Sequence, residues 1–257
     1  MIDLTIVLPT CNRAALLQNA LKSIVRQTTC SFELIVVDGA SNDATFAVLQ
    51  PFQHLLGDRM SVFGESRRGG FVKACNLGLR AARGRNLCWL NDDARPVGAA
   101  LDRAVELVDR DAANVLAMFH HWQSPKNVAH QADHAGRTFS LCHVRGTLYA
   151  NFPIARRTTF ERLGFLDERF RFCAADPDFS LSAWNAGLQV KPAWDVCIDH
   201  DQHADDRREE DSPAMMADNA RLFEKWDLPA KNLTQNDFDP HQPCTLRGLR
   251  TTDRLAA

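Results

Sequence analysis

An α/β fold built on a mainly parallel sheet flanked by helices, with a smaller subregion on one side, is predicted by three features of this 257-residue sequence. Short apolar runs alternate with amphipathic stretches over the first 120 residues, the pattern of βαβ units. Each apolar run ends abruptly on polar residues, as strands buried on both faces do. The length suits one α/β domain with a full core.

The elements follow in order. Leu4-Thr5-Ile6-Val7-Leu8 is a β-branched run that Pro9 should stop, and Pro9-Thr10-Cys11-Asn12-Arg13 is the loop after it. Leu17, Leu21, Ile24 and Val25 recur at helical spacing, giving a helix to about Gln27. Glu33 to Val37 is a second buried strand ending on Asp38, with a helix expected from about Asp43 to Gln50 and Pro51 just beyond it. Ser61-Val62-Phe63 is a weaker third strand, and Arg67-Arg68-Gly69-Gly70 turns into a helix from Phe71 to Ala82.

Leu87-Cys88-Trp89-Leu90 is the fourth strand, and it runs straight into Asn91-Asp92-Asp93. Pro96 forbids its continuation as a central strand. Adjacent carboxylates at a strand end repel one another and suit a hard divalent cation shared with a substrate phosphate. An acidic turn accounts for the same residues equally well. A helix from about Gly98 to Asp109 and a strand from Val115 to Phe119 complete the alternating region.

The middle third is less regular. Five histidines (120, 121, 130, 134 and 143) lack metal-binding spacing and read mostly as exposed or lining residues, with a zinc site the minority view. A short helix from Arg156 to Leu163 precedes Asp176-Pro177-Asp178, which opens another helix. There Asp176 has the pattern of an N-cap, and Asp178 suits the helix dipole. A last strand, about Asp195 to Ile198, delivers Asp199-His200. The charge-dense stretch from His200 to Asp211 reads as a loop and Met215 to Trp226 as a helix whose apolar residues pack, while the tail has no clear period.

Composition narrows the function. A formal net charge of −2 argues against a nucleic-acid binder. No run approaches the ~18 apolar residues of a membrane span, and the start lacks the basic flank of a secretory signal, so a cytoplasmic chain is expected. Eight scattered cysteines without a CxxC pair read as reduced, mostly buried thiols.

Taken together, IVLPTCNR, ELIVVDGASNDAT and GGFVKACNLGLRAARGRNLCWLNDDARP resemble the nucleotide-sugar half of the family 2 glycosyltransferases, and RTTFERLGFLDERFRFCAADPDFSLSAWNAGLQV resembles their acceptor half. Each motif is weak alone, but five in this order from about residue 4 to 200 are specific. The resemblance implies the Rossmann-like GT-A fold, with a nucleotide-sugar half at about 1–119 and an acceptor half at about 120–212; residues 213–257, beyond the match, read as a helical or irregular extension packed on the domain. It implies an inverting transferase using Mn2+ or Mg2+, a nucleoside-diphosphate sugar donor, and a glycan or lipid-linked glycan acceptor of cell-surface synthesis, compatible with a peripheral membrane position.

Residue by residue, the resemblance assigns nucleotide binding to Pro9, Thr10, Cys11, Arg13, Asp38 and Asp92, metal binding to Asp93 and His200, and the catalytic base to Asp176. Arg68 and Lys73 are added from charge and position as diphosphate contacts. Cys11 stands where the family often has an aromatic, Gly39 replaces a frequent acidic or Asn residue, and Ala175 stands where Glu is common; none of these removes the metal carboxylate or the base. A free Asp, with a pKa near ~3.9, is a weak base at neutral pH, so the role calls for burial or a neighbouring carboxylate to raise it. A sugar-phosphate nucleotidyltransferase would need a glycine-rich loop after the first strand, and an oxidoreductase a GxGxxG; neither is present. A non-catalytic sugar-nucleotide-binding module is the other alternative, disfavoured by the joint retention of Asp93, Asp176 and His200.

Overall fold

The computed structural model describes residues 1–121, 127–144, 146–200 and 206–227, with side chains from 211 onward in the last segment. Strands β1 (Leu4–Thr10), β2 (Phe32–Asp38), β3 (Met60–Gly64) and β4 (Asn86–Trp89) pair in parallel in the order β3-β2-β1-β4. Helices α1 (Ala14–Gln27), α2 (Thr45–Leu56) and α3 (Phe71–Ala81) connect them. Beyond β4 the sheet continues through β10 (Pro153–Arg156), β6 (Val115–His120), β11 (Val190–His200) and β5 (Ala94–Pro96). β10 runs antiparallel to both of its neighbours, β6 and β11 are parallel, and β5 is antiparallel to β11 at the edge.

The central strands are apolar at successive positions because both faces are covered. Leu4, Ile6, Leu8, Leu34 and Val36 point into one core with α1 and α4 (Ala100–Arg110). Val7, Ile35, Val37 and Trp89 point into the other, with α3, α5 (Arg157–Leu163) and α6 (Ala175–Asn185). A strand with period-two side chains and helices on both sides has no solvent face to mark with polar residues.

Several boundaries differ from the sequence reading. β1 runs through Pro9 to Thr10. Its pairing with β4 ends at Val7–Trp89, and Thr10 O accepts the Gly39 amide on the β2 side. By alternation, Pro9 faces the side where β4 has already stopped, so its missing N–H costs no ladder bond. α2 continues past Pro51 to Leu56, because Leu49 and Leu56, seven residues apart, both bury against the same core.

The middle region carries strands that the sequence did not announce. β7 (Val128–His134) and β8 (Arg137–Val144) form an antiparallel hairpin, and short β9 (Thr147–Leu148) pairs with β8. Of the histidines read as exposed or lining, His134 is exposed and His143, though buried, lines a cleft, whereas His120 is buried and does not line it. Among the described residues, no group of three or more His, Cys, Asp or Glu side chains is arranged to hold a metal by itself.

Helix α7 (Asp206–Trp226) takes in part of the stretch expected to be a charged loop; residues 201–205 and the tail from 228, which includes Cys244, lie outside the described residues. Leu222 and Trp226 pack into the core as expected, but Met216 is exposed. Asp218 is buried and accepts the backbone amides of Arg171, Phe172 and Cys173, which fixes α7 to the loop before α6. The seven described cysteines form no disulfide, and no helix among the described residues is long and apolar enough to cross a membrane.

Candidate active site

The C-terminal ends of β1 and β4, the N-terminus of α3, the entry to α6 and one side of α7 surround a cleft of about 480 Å³. That volume lies within the ~300–1,000 Å³ usual for small-molecule sites. Pro9, Thr10, Cys11, Arg13, Arg68, Asp92, Asp93, Asp176 and His200 all line it. Asp38 and Lys73 do not. The Asp38 carboxylate accepts the Ser41 amide at 3.3 Å, which is a turn-capping contact, and Lys73 is exposed on α3.

The acidic pair is held by one arginine. Arg13 Nη1 donates to Asp92 Oδ1 at 3.1 Å and to Asp93 Oδ2 at 2.8 Å, and Thr10 Oγ1 donates to Asp92 Oδ2 at 2.9 Å. All of these side chains are buried or nearly so. On its other edge, Asp93 Oδ1 lies 3.2 Å from His200 Nε2. The register that places them there is the pairing of His200 in β11 with Ala94 in β5, the residue after Asp93. Burial opposes ionisation of Asp93, but His200 and Arg13 outweigh it and keep its carboxyl below the ordinary range.

Asp93 Oδ1 is buried without a well-formed hydrogen bond of its own, and it lies beside an imidazole nitrogen. A carboxylate oxygen and a histidine nitrogen side by side suit Mn2+ or Mg2+ when substrate phosphates supply further oxygens. The donor set therefore fits a divalent cation, although the protein contributes only part of the shell.

Asp176 faces the same cleft from the first turn of α6. It is not the N-cap that the sequence pattern suggested. Ala174 occupies that place in the left-handed region, at φ 62°, and the helix already includes Ala175. Asp176 O accepts the Ser180 hydroxyl, which in turn accepts the Ala150 amide, so the turn is tied to the segment after β9. Desolvation in the cleft raises the Asp176 carboxyl to about 7; the His200 ring opposes that rise only in part. Asp178 turns away to α7, where it receives hydrogen bonds from Lys225 Nζ and Trp226 Nε1, so it neither raises Asp176 nor acts simply on the helix dipole.

Gly70 sets the distance between the α3 and α6 entries. Its φ is +107°, and a Cβ there would lie 2.7 Å from the Arg171 carbonyl oxygen. Only glycine permits that approach. Four other wall residues are not singled out by the sequence: Tyr149 and Asn151 come from the irregular middle, and Asp211 and Asn219 from segments without a motif. His143, read as an exposed or lining residue, does line the cleft, and Phe172 lies within the RFCAADPDFS stretch, which assigns it no site role. Behind His200, the buried His120 packs edge-on at 6.2 Å between ring centroids, and burial lowers its pKa to about 3.

Comparison with known proteins gives a consistent result. The family model described as "Glycosyl transferase family 2" matches residues 5–175. A PGL/p-HBAD biosynthesis glycosyltransferase of Mycobacterium bovis is 39% identical over 89 residues, covering 35% of this chain and 34% of that protein. A GalNAc(5)-diNAcBac-PP-undecaprenol beta-1,3-glucosyltransferase of Campylobacter jejuni is 34% identical over 117 residues, 45% of this chain and 38% of that one. The chain thus spans little more than a third of these two relatives. The mannosyltransferase PcManGT of Pyrobaculum calidifontis, solved with GDP-Man and Mn2+, superposes with a TM-score of 0.67 at 19% identity over 89% of this chain and 65% of that one.

Proposed function

This chain belongs to glycosyl transferase family 2 and has the GT-A fold, and from that premise we propose that it transfers a sugar from a nucleoside-diphosphate sugar to an acceptor hydroxyl with inversion at the anomeric carbon. The observation that carries the reading is the sharing of one cleft by the Asp93–His200 pair and by a carboxyl, Asp176, raised to about 7.

The roles follow from the chemistry. Thr10, Asp92 and Arg13 hold the nucleotide side of the cleft, where Arg13 keeps two carboxylates close together. Asp93 and His200 would hold a divalent cation, Mn2+ or Mg2+, which when bound offsets charge on the departing diphosphate. Asp176, deprotonated near neutral pH, takes the proton from the acceptor hydroxyl. The acceptor oxygen forms its bond to the anomeric carbon as the bond from that carbon to the diphosphate oxygen breaks, and the nucleoside diphosphate leaves. A single displacement inverts the configuration.

Asp38 and Lys73 have no part in this reading of the cleft. A glycan or lipid-linked glycan is the acceptor class we propose, supported by the undecaprenol-linked substrate in the name of the Campylobacter relative. The test is calorimetric titration of UDP, GDP and dTDP with and without Mn2+. Binding of one of the three, strengthened by the metal, is expected; no binding under any condition would remove the reading.

A further inference from the structure

Among the described residues, the guanidinium groups lining the cleft are those of Arg13 and Arg68, and both are committed to carboxylates. Arg13 serves Asp92 and Asp93. Arg68 is gripped from α7: Nη1 donates to Asp211 Oδ1 at 3.1 Å and Nη2 to Asp211 Oδ2 at 2.5 Å. The same guanidinium lies over the Phe172 ring, 4.7 Å from its centroid, and Phe172 also lines the cleft. Lys73 is off the cleft wall, so a diphosphate entering here finds Arg68 as the cation on the α3 side.

We propose that Asp211 is an internal stand-in for the donor's diphosphate, holding Arg68 until a phosphate oxygen takes its place and so setting donor affinity. This inference rests on the transferase reading above. The guanidinium fork accepts carboxylate and phosphate in the same two-point geometry. Stacking on Phe172 keeps its plane fixed, so the exchange of one anion for another does not require the arginine to move. Helix α7 is anchored further along, through Asp218 and through Lys225 and Trp226, so loss of the Asp211 contact leaves those anchors in place. The arrangement also accounts for a carboxylate lining a cleft built for an anionic ligand, where it would otherwise only repel.

The test is a double-mutant cycle read by calorimetry, with UDP, GDP and dTDP as probes in the presence of Mn2+. Asp211→Asn keeps the shape and removes the charge, and it should tighten nucleotide binding by about three- to tenfold. Asp211→Glu should stay within about twofold of wild type. In an Arg68→Ala background the gain from Asp211→Asn should vanish. Asp211→Ser serves as a second neutral variant, read the same way, if the first folds poorly. Unchanged or weaker binding in the neutral variants, or an equal gain without Arg68, overturns the proposal while leaving the transferase reading intact. Absence of binding by the wild type and every variant overturns both.

Discussion

Asp93 Oδ1 and His200 Nε2 lie 3.2 Å apart although the two residues belong to opposite halves of the chain. The contact is a consequence of topology. β4 runs into the acidic motif, the chain then turns into the edge strand β5, and β11 pairs with β5 so that its last residue arrives beside Asp93. If this pair holds the cation, His200→Ala should weaken Mn2+ binding by about 10- to 100-fold. Titration of Mn2+ at saturating nucleotide checks it. Nucleotide binding without metal should change little.

The pH dependence of turnover should follow Asp176. Its carboxyl is raised to about 7, and the proposed base acts only when deprotonated. The rate at low substrate should therefore fall as pH drops through about 7. A profile flat down to pH 5 would exclude Asp176 as the titrating base.

The same group bears on stability, with the opposite sign to a salt-bridged Asp. A carboxyl whose pKa is higher folded than unfolded favours the neutral form of the fold. The cost of its charge begins as pH rises past the ordinary carboxyl value of 3.8 and is complete above about 7. Asp176→Asn should raise stability by about 1–3 kcal/mol at pH 8 and have almost no effect at pH 4. Thermal melts at the two pH values decide it.

Two changes should loosen the junction of α3, α6 and α7. Asp218→Asn weakens a buried acceptor of three backbone amides and should cost about 2–4 kcal/mol. Gly70→Ala places a Cβ against the Arg171 backbone at a positive φ and should cost at least as much, on the order of 2–4 kcal/mol. Urea denaturation measures both. Wild-type stability in either would contradict the packing described here.

The elements legible in the sequence were those with their own periodicity. β1 to β4 and the helices between them announce themselves through apolar runs and i, i+3, i+4 spacing. β5 and β10 are only three and four residues long and exist because neighbours pair with them. The β7–β8 hairpin carries polar and histidine side chains that blur its alternation. At the cleft, residues at strand ends and helix starts could be named, because polarity changes abruptly there. Asp211 could not, since nothing local distinguishes a carboxylate that meets a partner 143 residues away from one facing water. Asp38 was a strand-end residue too, yet its carboxylate turns back to its own loop.

Asp93 and Asp176 are assigned separate roles, and a comparison of Asp93→Ala with Asp176→Asn tests that separation. Nucleotide binding with Mn2+ would be followed by calorimetry, and sugar transfer from the bound donor class by product formation. Asp93→Ala should lose metal-dependent binding. Asp176→Asn should bind as the wild type does and lose transfer by at least about a hundredfold. Transfer by Asp176→Asn at a wild-type rate, or metal-dependent binding that survives in Asp93→Ala, would contradict the account.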